Sequence, residues 1–412
     1  HLFSTFLLRQ MEYDADRYET RLAGSPAFQE TVGQLHRLLV GHNHAMGQVN
    51  DFWREKKLPD DLPAVCFANA EALDENELDN YLKQVFEEKT NRWSTHPSDR
   101  DRIRHAEKMD EPGVLHSELP ATILMNGFDQ MARQVTESFY RFEMGEALDP
   151  KFLWPTSKLM ESQKLEADRN QGLGRFLQGG LDSKSLFFPQ PSGEPLSGDR
   201  AVVLGELVEV REELLAAREV TPDERNVLAN RRLELGLHLL GLPGMEEVRA
   251  EIHGGGAKVE GLAEVMNCLR RVFPSHQELG RTFRKALREL DVWQADQQSK
   301  VKRKAFDDSV RDLQTAYLQI RDELEKVPYP FTHSDGEITC ADYAAKAKSE
   351  IEEIGPLFNG VSVLLEHMGP LYVKTLPRLI EVAEKVEDAA GLERLEAPVI
   401  KSVEGEKADA GA

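Results

Sequence analysis

Helix-start signals recur along this chain, whereas the alternating pattern of a β-strand is scarce. Ser25-Pro26 places an N-cap residue before a proline at the first helical position, and Thr221-Pro222-Asp223-Glu224 adds the acidic residue of a capping box. Only residues 64–68 and 201–210 alternate enough to be strand candidates, and the second segment fits a helix equally well. We therefore predict a mainly α fold.

Turn residues and prolines divide the helical pattern into separate predicted helices. A proline inside a helix removes one backbone hydrogen bond and clashes with the preceding turn, so we expect breaks at Pro274 and Pro370. The predicted helices run over 25–57, 75–89, 97–108, 119–144, 156–177, 259–272, 277–327, 340–354, 356–368 and 370–390, with a further helix starting after Thr221.

Composition changes along the chain predict its domain organisation. Residues 182–200 are rich in Ser, Pro and Gly and form the best internal linker, after a helical connector over 111–181. A helical extension domain is predicted over 201–392. Residues 393–412 are small and polar, which is typical of a disordered tail.

The charge balance excludes some classes of partner. There are 51 Lys and Arg against 72 Asp and Glu, a net charge of −21 that repels phosphate, so we expect no nucleic acid to bind. The longest charge-free stretch, 38–50, is too short to cross a bilayer. The three cysteines lie far apart and form no CxxC pair, which favours a reducing compartment.

One segment reverses this charge. Residues 270–304 carry ten basic and four acidic side chains, a local balance of +6. A solvated helix face that pairs with acidic neighbours explains such a segment in most proteins. The alternative interpretation is a membrane-surface contact in which these side chains meet anionic lipid head groups.

Two carboxylates near the start of the chain form a candidate site. Glu12 and Asp16 share one face of a helix at a spacing of four, where two negative charges repel, and Arg9 lies one turn before Glu12. Either Arg9 or a metal ion would offset that repulsion. An apolar run, 2–8, precedes them, and about 80 residues later Pro97 is predicted to start a helix with His96 at its cap and Arg102 within two turns.

These residues resemble two motifs of the integral-membrane zinc metallopeptidases, the family of the CAAX prenyl protease and the bacterial heat-shock membrane proteases. The first motif, Arg-x-x-Glu-[Tyr/Phe]-x-Ala-Asp, is matched by Arg9, Glu12, Tyr13, Ala15 and Asp16. The second, Thr-His-Pro-x-x-x-x-Arg-[Ile], is matched by Thr95, His96, Pro97, Arg102 and Ile103. The resemblance covers residues 1–110, which it implies are the C-terminal, helical part of a gluzincin-type peptidase domain.

The resemblance also implies roles for these residues. Glu12 would be the third protein ligand of a catalytic zinc, which it shares with two histidines outside this chain. Asp16, with Arg9 nearby, would orient a ligand histidine or the helix that carries the ligand. His96 and Arg102 would be catalytic residues beside the zinc, His96 stabilising the oxyanion formed from a peptide carbonyl.

The family's His-Glu-x-x-His motif is absent from these 412 residues. The nearest group, His36, His42 and His44, has spacings of six and two, so we interpret it as ordinary helix-surface histidines. Because the chain starts at His1 in an apolar run, we expect it to be a soluble C-terminal fragment, inactive alone, of a peptidase integral to a membrane.

The implied partners are the upstream transmembrane catalytic segment and a protein or peptide substrate, with this part on the cytoplasmic side of the membrane. The alternative is a non-enzymatic, acidic, all-helical scaffold, in which Glu12, Asp16 and His96 are ordinary surface and cap residues.

Overall fold

The computed structural model describes residues 2–91, 93–117, 119–145, 148–178, 193, 195–216, 222–254, 259–344 and 354–396. The prediction of a mainly α fold is confirmed, because helices dominate and the sheet has two short strands. The chain divides into two compact units, His1–Met160 and Glu161–Ala412, and the division falls inside the predicted connector 111–181. Within the described ranges, no helix has both the length and the apolar character needed to span a bilayer.

Among the described residues, six helices belong to the first unit, and a seventh begins in it and continues into the second. They are α1 (Leu2–Ala23), α2 (Ser25–Arg54), α3 (Leu62–Glu71), α4 (Glu75–Glu87), α5 (Asp99–Met109), α6 (Phe128–Met144) and α7 (Thr156–Leu177). Short 3₁₀ helices cover Ala121–Leu124 and Pro150–Phe152. Both ends of α7 agree with the predicted bounds, and α2 begins at Ser25. The prediction that Ser25 is the N-cap of α2 is wrong, because the cap residue is Gly24 and the Ser25 hydroxyl instead donates to the carbonyl of Ala106.

Two predictions in the first unit are wrong. Residues 64–68, a strand candidate, lie in α3, where the Asp61 side chain caps the helix by accepting a hydrogen bond from the Ala64 N–H at 3.0 Å. The long helix predicted over 119–144 is divided, because Gly127 has a left-handed backbone (φ 70°) that interrupts helical geometry before α6.

The sheet of the first unit consists of two parallel strands, β1 (Leu58–Pro59) and β2 (Leu153–Trp154). Leu58 pairs with Leu153 and Pro59 with Trp154. The sequence analysis missed both strands, because two residues are too few to show an alternating pattern.

Close packing of α1, α2 and α5 positions the candidate site. Phe28 and Val32 of α2 are buried against Ile103 and Ala106 of α5. The Ser25 hydroxyl donates to the carbonyl of Ala106 at 2.7 Å, so the start of α2 is tied to the last turns of α5. These contacts fix α5 next to α1, which carries the two carboxylates.

The second unit is built on long helices. They are α8 (Arg200–Ala216), α9 (Pro222–Leu240), α10 (Glu246–Gly254), α11 (Val259–Ala295), α12 (Lys300–Leu324), α13 (Cys340–Ala344) and α14 (Ile354–Ala389). Its main core lies among α9, α11, α12 and α14. The second strand candidate, 201–210, lies in α8, as its helical alternative predicted. Residues 397–412 and most of the predicted linker lie outside the described residues.

Two prolines, Pro274 and Pro370, lie inside helices that were predicted to break at them, whereas Pro377 was already inside the helix predicted over 370–390. Pro274 is within α11, and Pro370 and Pro377 are within α14. A proline in a helix interior costs about 3 kcal/mol, whereas burial of one large apolar side chain contributes about 1.5–3 kcal/mol. Leu371, Leu376 and Leu379 are all fully buried around the α14 prolines, so packing outweighs the lost hydrogen bond. The long helix predicted over 277–327 is instead divided at 296–299.

Candidate functional site

The candidate site lies in the first unit, where α1 faces the segment that leads into α5. Glu12 and Asp16 are one turn apart on α1, and His96 and Arg102 lie on either side of the start of α5. The N-cap of α5 is Ser98, whose hydroxyl accepts a hydrogen bond from the Asp101 N–H at 3.3 Å. His96 is therefore in the connection before the helix, and the prediction that it caps the helix is wrong.

Glu12 and His96 contact each other directly. The Nδ1 atom of His96 lies 2.6 Å from Oε1 of Glu12, across a sequence separation of 84 residues. The side chain of Glu12 is 30% exposed and that of His96 is 75% exposed, so the contact is at the surface. The structure thus brings together the carboxylate and the ring that the resemblance places beside one zinc ion.

Asp16 and Arg102 form a second, more buried pair. The guanidinium donates two hydrogen bonds to the carboxylate, Nε to Oδ2 at 3.0 Å and Nη2 to Oδ1 at 2.7 Å. These bonds raise the pKa of Arg102 above its usual value. Because the Asp16 side chain is only 4% exposed and Arg102 comes from α5, this pair fixes the orientation of α1 relative to α5.

Arg9 links α1 to the residues that precede His96. Its Nη1 donates to the carbonyl of Ser94 at 2.8 Å. The turn of α1 before Glu12 is therefore attached to the His96 connection through Arg9. The turn after Glu12 is attached to α5 through Asp16.

Thr90 and Asp101 also support the His96 connection, and the sequence analysis missed both. The Thr90 hydroxyl donates to Oδ2 of Asp101 and accepts from the Ser98 N–H at 2.9 Å. The bond from Thr90 lowers the pKa of the Asp101 carboxyl below its usual value, although burial opposes this shift. The spacing Ser98-x-x-Asp101 is typical of a capping box, so it could have identified Asp101, but no local pattern points to Thr90.

A cavity of about 210 Å³ opens beside the Arg102 guanidinium. Phe28, Val32 and Leu39 give it apolar walls, and His36 lies at its edge with Asp99. Nε2 of His36 is 2.7 Å from Oδ2 of Asp99, so this histidine is engaged by a carboxylate of α5. His42 and His44, by contrast, are exposed on α2.

The donor set suits zinc only in part. Glu12 is a partly exposed carboxylate held by a neighbouring imidazole, and zinc accepts carboxylate oxygen as a ligand. Across the described residues, no group of three or more His, Cys, Asp and Glu side chains could hold a metal ion. This part of the chain therefore offers one ligand of a set, and the two further histidines remain a prediction.

Comparison of the chain with models of protein families, with curated proteins and with solved structures finds no match.

Proposed function

We propose that this chain is the C-terminal part of a membrane-bound, zinc-dependent endopeptidase. Its contribution to the active centre is Glu12 as the third zinc ligand, and the two histidines and the general base come from a His-Glu-x-x-His helix in the upstream transmembrane catalytic segment. The proposal places this part on the cytoplasmic side of the membrane. The observation that carries it is the 2.6 Å contact between Glu12 and His96, which joins two motifs 84 residues apart.

The residues of this chain would act around a zinc ion that polarises the peptide carbonyl and lowers the pKa of a coordinated water to about 7. Glu12 would bind the zinc ion, and the Asp16–Arg102 pair would keep α1, which carries Glu12, in place. His96 would donate from Nδ1 to Glu12, so Nε2 is the ring nitrogen left for a substrate oxygen, and it would stabilise the developing charge as a donor when the ring carries both protons. The cavity of about 210 Å³ beside Arg102, which has both apolar and charged walls, would receive a substrate side chain.

The decisive experiment measures zinc in the full-length polypeptide, including the upstream segment. We expect Glu12→Gln to lose bound zinc and proteolytic activity together, because an amide oxygen is a poor zinc ligand and carries no charge. Glu30→Gln is the matched control, since Glu30 is an exposed glutamate of the same unit, on α2, and lies outside the cavity beside Arg102. Unchanged zinc content in Glu12→Gln would overturn the ligand assignment.

A non-enzymatic helical scaffold is the alternative. It is favoured by one observation: Glu12 with His96 and Asp16 with Arg102 form complementary pairs within the chain. A scaffold predicts that the full-length polypeptide contains no stoichiometric zinc, and that Glu12→Gln changes only stability. Zinc content therefore separates the two functions.

A further inference from the structure

The basic segment 270–304 lies on two adjacent helices of the second unit, α11 and the start of α12. Half of its ten cations have a carboxylate partner: Arg271 with Glu323, Arg281 with Glu278, Lys285 with Asp312, Lys302 with Asp296 and Arg303 with Asp307. The other five have no ion-pair partner within the described residues, namely Arg270, Arg284, Arg288, Lys300 and Lys304. Pairing with acidic neighbours therefore explains only half of this segment.

Four of the cations line one groove. Arg281, Arg284, Lys285 and Arg288 lie at successive positions on one face of α11, over about 10 Å of helix. Opposite them, α12 contributes Asp312, Thr315, Ala316 and Gln319 to a groove of about 610 Å³, which Glu278 of α11 also lines. Glu278 pairs with Arg281 and Asp312 with Lys285, whereas Arg284 and Arg288 are exposed and lack a partner carboxylate in the part of the chain that the structure describes. The groove therefore keeps a net positive charge from two guanidinium groups, which is the chemistry that binds phosphate.

Exposed apolar side chains lie next to these cations. Leu287 and Val292 of α11 are 38% and 45% exposed, and Val301, at the start of α12, is 80% exposed. The two valines flank the connection between the helices, where Lys300 and Lys304 are also exposed. Cations combined with protruding apolar side chains are typical of surfaces that lie in the interface of a bilayer.

We infer that the groove between α11 and α12 binds the phosphate of an anionic lipid head group, with Val292 and Val301 inserted at the level of the head groups. A bilayer accounts for both the cations and the exposed valines, whereas an acidic peptide or a nucleic acid accounts only for the cations. No aromatic side chain lines the groove, so it lacks the stacking surface that single-stranded nucleic acids need.

The net charge of −21 does not prevent this contact. At physiological ionic strength, charges more than about 8 Å apart in solution are largely screened, so the nearby cations dominate the potential in the groove. The inference is also independent of the proposed peptidase function, because Glu12 lies in the other unit and the groove requires no zinc.

The first experiment is sedimentation of the chain with vesicles. We expect binding to vesicles of phosphatidylcholine with phosphatidylserine, no binding to phosphatidylcholine alone, and release as salt increases. Equal binding to both kinds of vesicle, or to neither, would overturn the inference.

The second experiment compares two double variants with the same change in charge. Arg284→Gln/Arg288→Gln removes the unpaired groove cations, and we expect vesicle affinity to fall about thirtyfold. Arg104→Gln/Lys108→Gln is the control, because these exposed cations also lie four residues apart on a helix, α5. Circular dichroism verifies that both variants are folded. Equal affinities for the two variants would contradict the inference.

Competition on the unchanged chain separates the possible sources of anionic charge without relying on a variant. Soluble glycerophosphoserine should displace the chain from vesicles only weakly, because it lacks a surface for the valines. Val301→Ser should weaken vesicle binding, whereas Val227→Ser, with a valine that is 68% exposed on α9, should not. Tighter binding of polyglutamate or single-stranded DNA than of anionic vesicles would show that the partner is not a membrane.

Discussion

Arg102 donates two parallel hydrogen bonds to the carboxylate of Asp16, from Nε at 3.0 Å and from Nη2 at 2.7 Å. The acceptor is almost completely buried, and the donor comes from a helix 86 residues further along the chain. Planar arginine matches a carboxylate in this geometry, whereas lysine would make only one such bond. The position of Glu12, one turn before Asp16, therefore depends on this pair.

We predict that Arg102→Ala destabilises the first unit by about 3 kcal/mol. The change leaves the Asp16 carboxylate buried without its cation, and removal of one partner of a buried pair costs about 3–5 kcal/mol. The lower end applies because Arg102 is itself 28% exposed. Urea unfolding followed by tryptophan fluorescence measures this change, since Trp53, Trp93 and Trp154 all lie in the first unit.

Arg104→Ala is the control for this measurement. Arg104 is exposed on the same helix, so its loss should change the free energy of unfolding by less than about 0.5 kcal/mol. Similar effects of the two substitutions would mean that the Asp16–Arg102 pair does not fix α1 against α5.

Gly41 allows α2 and α3 to approach closely. A Cβ atom at this position would lie 2.6 Å from the Cys66 carbonyl oxygen and 2.7 Å from the Ala70 nitrogen, both backbone atoms. We predict that Gly41→Ala destabilises the first unit by about 2 kcal/mol, because overpacking outweighs the gain in helix propensity. Gly47→Ala, on the same helix with open space around it, should instead stabilise by about 0.5–1 kcal/mol. Stabilisation by both changes in urea unfolding would contradict the close approach.

The sequence predicted helices where local signals are strong. The bounds of α7 and the start of α4 agree with their predicted positions, and α4 is capped by the Asp74 side chain, which lies in the turn that signalled this start in the sequence. The continuation of α11 through Pro274 and of α14 through Pro370 could not be predicted. It depends on burial against other helices, which no local pattern shows.

The candidate site was predictable only as a set of residues. The convergence of Glu12 with His96 was expected from the resemblance to a family, since spacing alone cannot bring together side chains 84 residues apart. The pairing of Asp16 with Arg102 was not foreseen for the same reason. Thr90 was missed although the Ser98-x-x-Asp101 spacing gave a local signal for its partner.

His276 of α11 makes the second unit sensitive to acid. Its Nε2 atom is buried without a hydrogen-bond partner in the described structure, and burial lowers the pKa of the ring, partly opposed by a backbone hydrogen bond with Leu365. Because the folded-state pKa lies below the unfolded value of about 6.5, the unfolded chain takes up the proton first as pH falls. The stability that the neutral His276 ring allows is therefore complete above about pH 6.5, and it is lost as pH falls from there through the folded-state pKa.

We therefore predict that His276→Leu reduces the dependence of unfolding free energy on pH between about pH 7.5 and about pH 5.5. Hydrogen exchange of the α11 amides, measured across this range, reports the local stability. His253→Leu is the control, since that side chain is exposed and should leave the dependence unchanged. Identical pH profiles for the unchanged chain and His276→Leu would show that His276 does not titrate on unfolding.

The final prediction concerns the separate roles of Glu12 and His96 in the full-length polypeptide. His96→Ala should lower kcat about 10²–10³-fold with little change in KM, because a donor to a developing oxyanion acts only in the transition state. Zinc content should be unchanged, since removal of the imidazole leaves the Glu12 carboxylate in place.

Two control variants accompany His96→Ala. His96→Gln should restore part of kcat, because its amide N–H is also a donor, and His116→Ala, at an exposed histidine, should have no effect. Loss of zinc in His96→Ala would instead mean that the imidazole acts by positioning Glu12, and normal kcat with normal zinc would reduce the 2.6 Å contact to a surface ion pair.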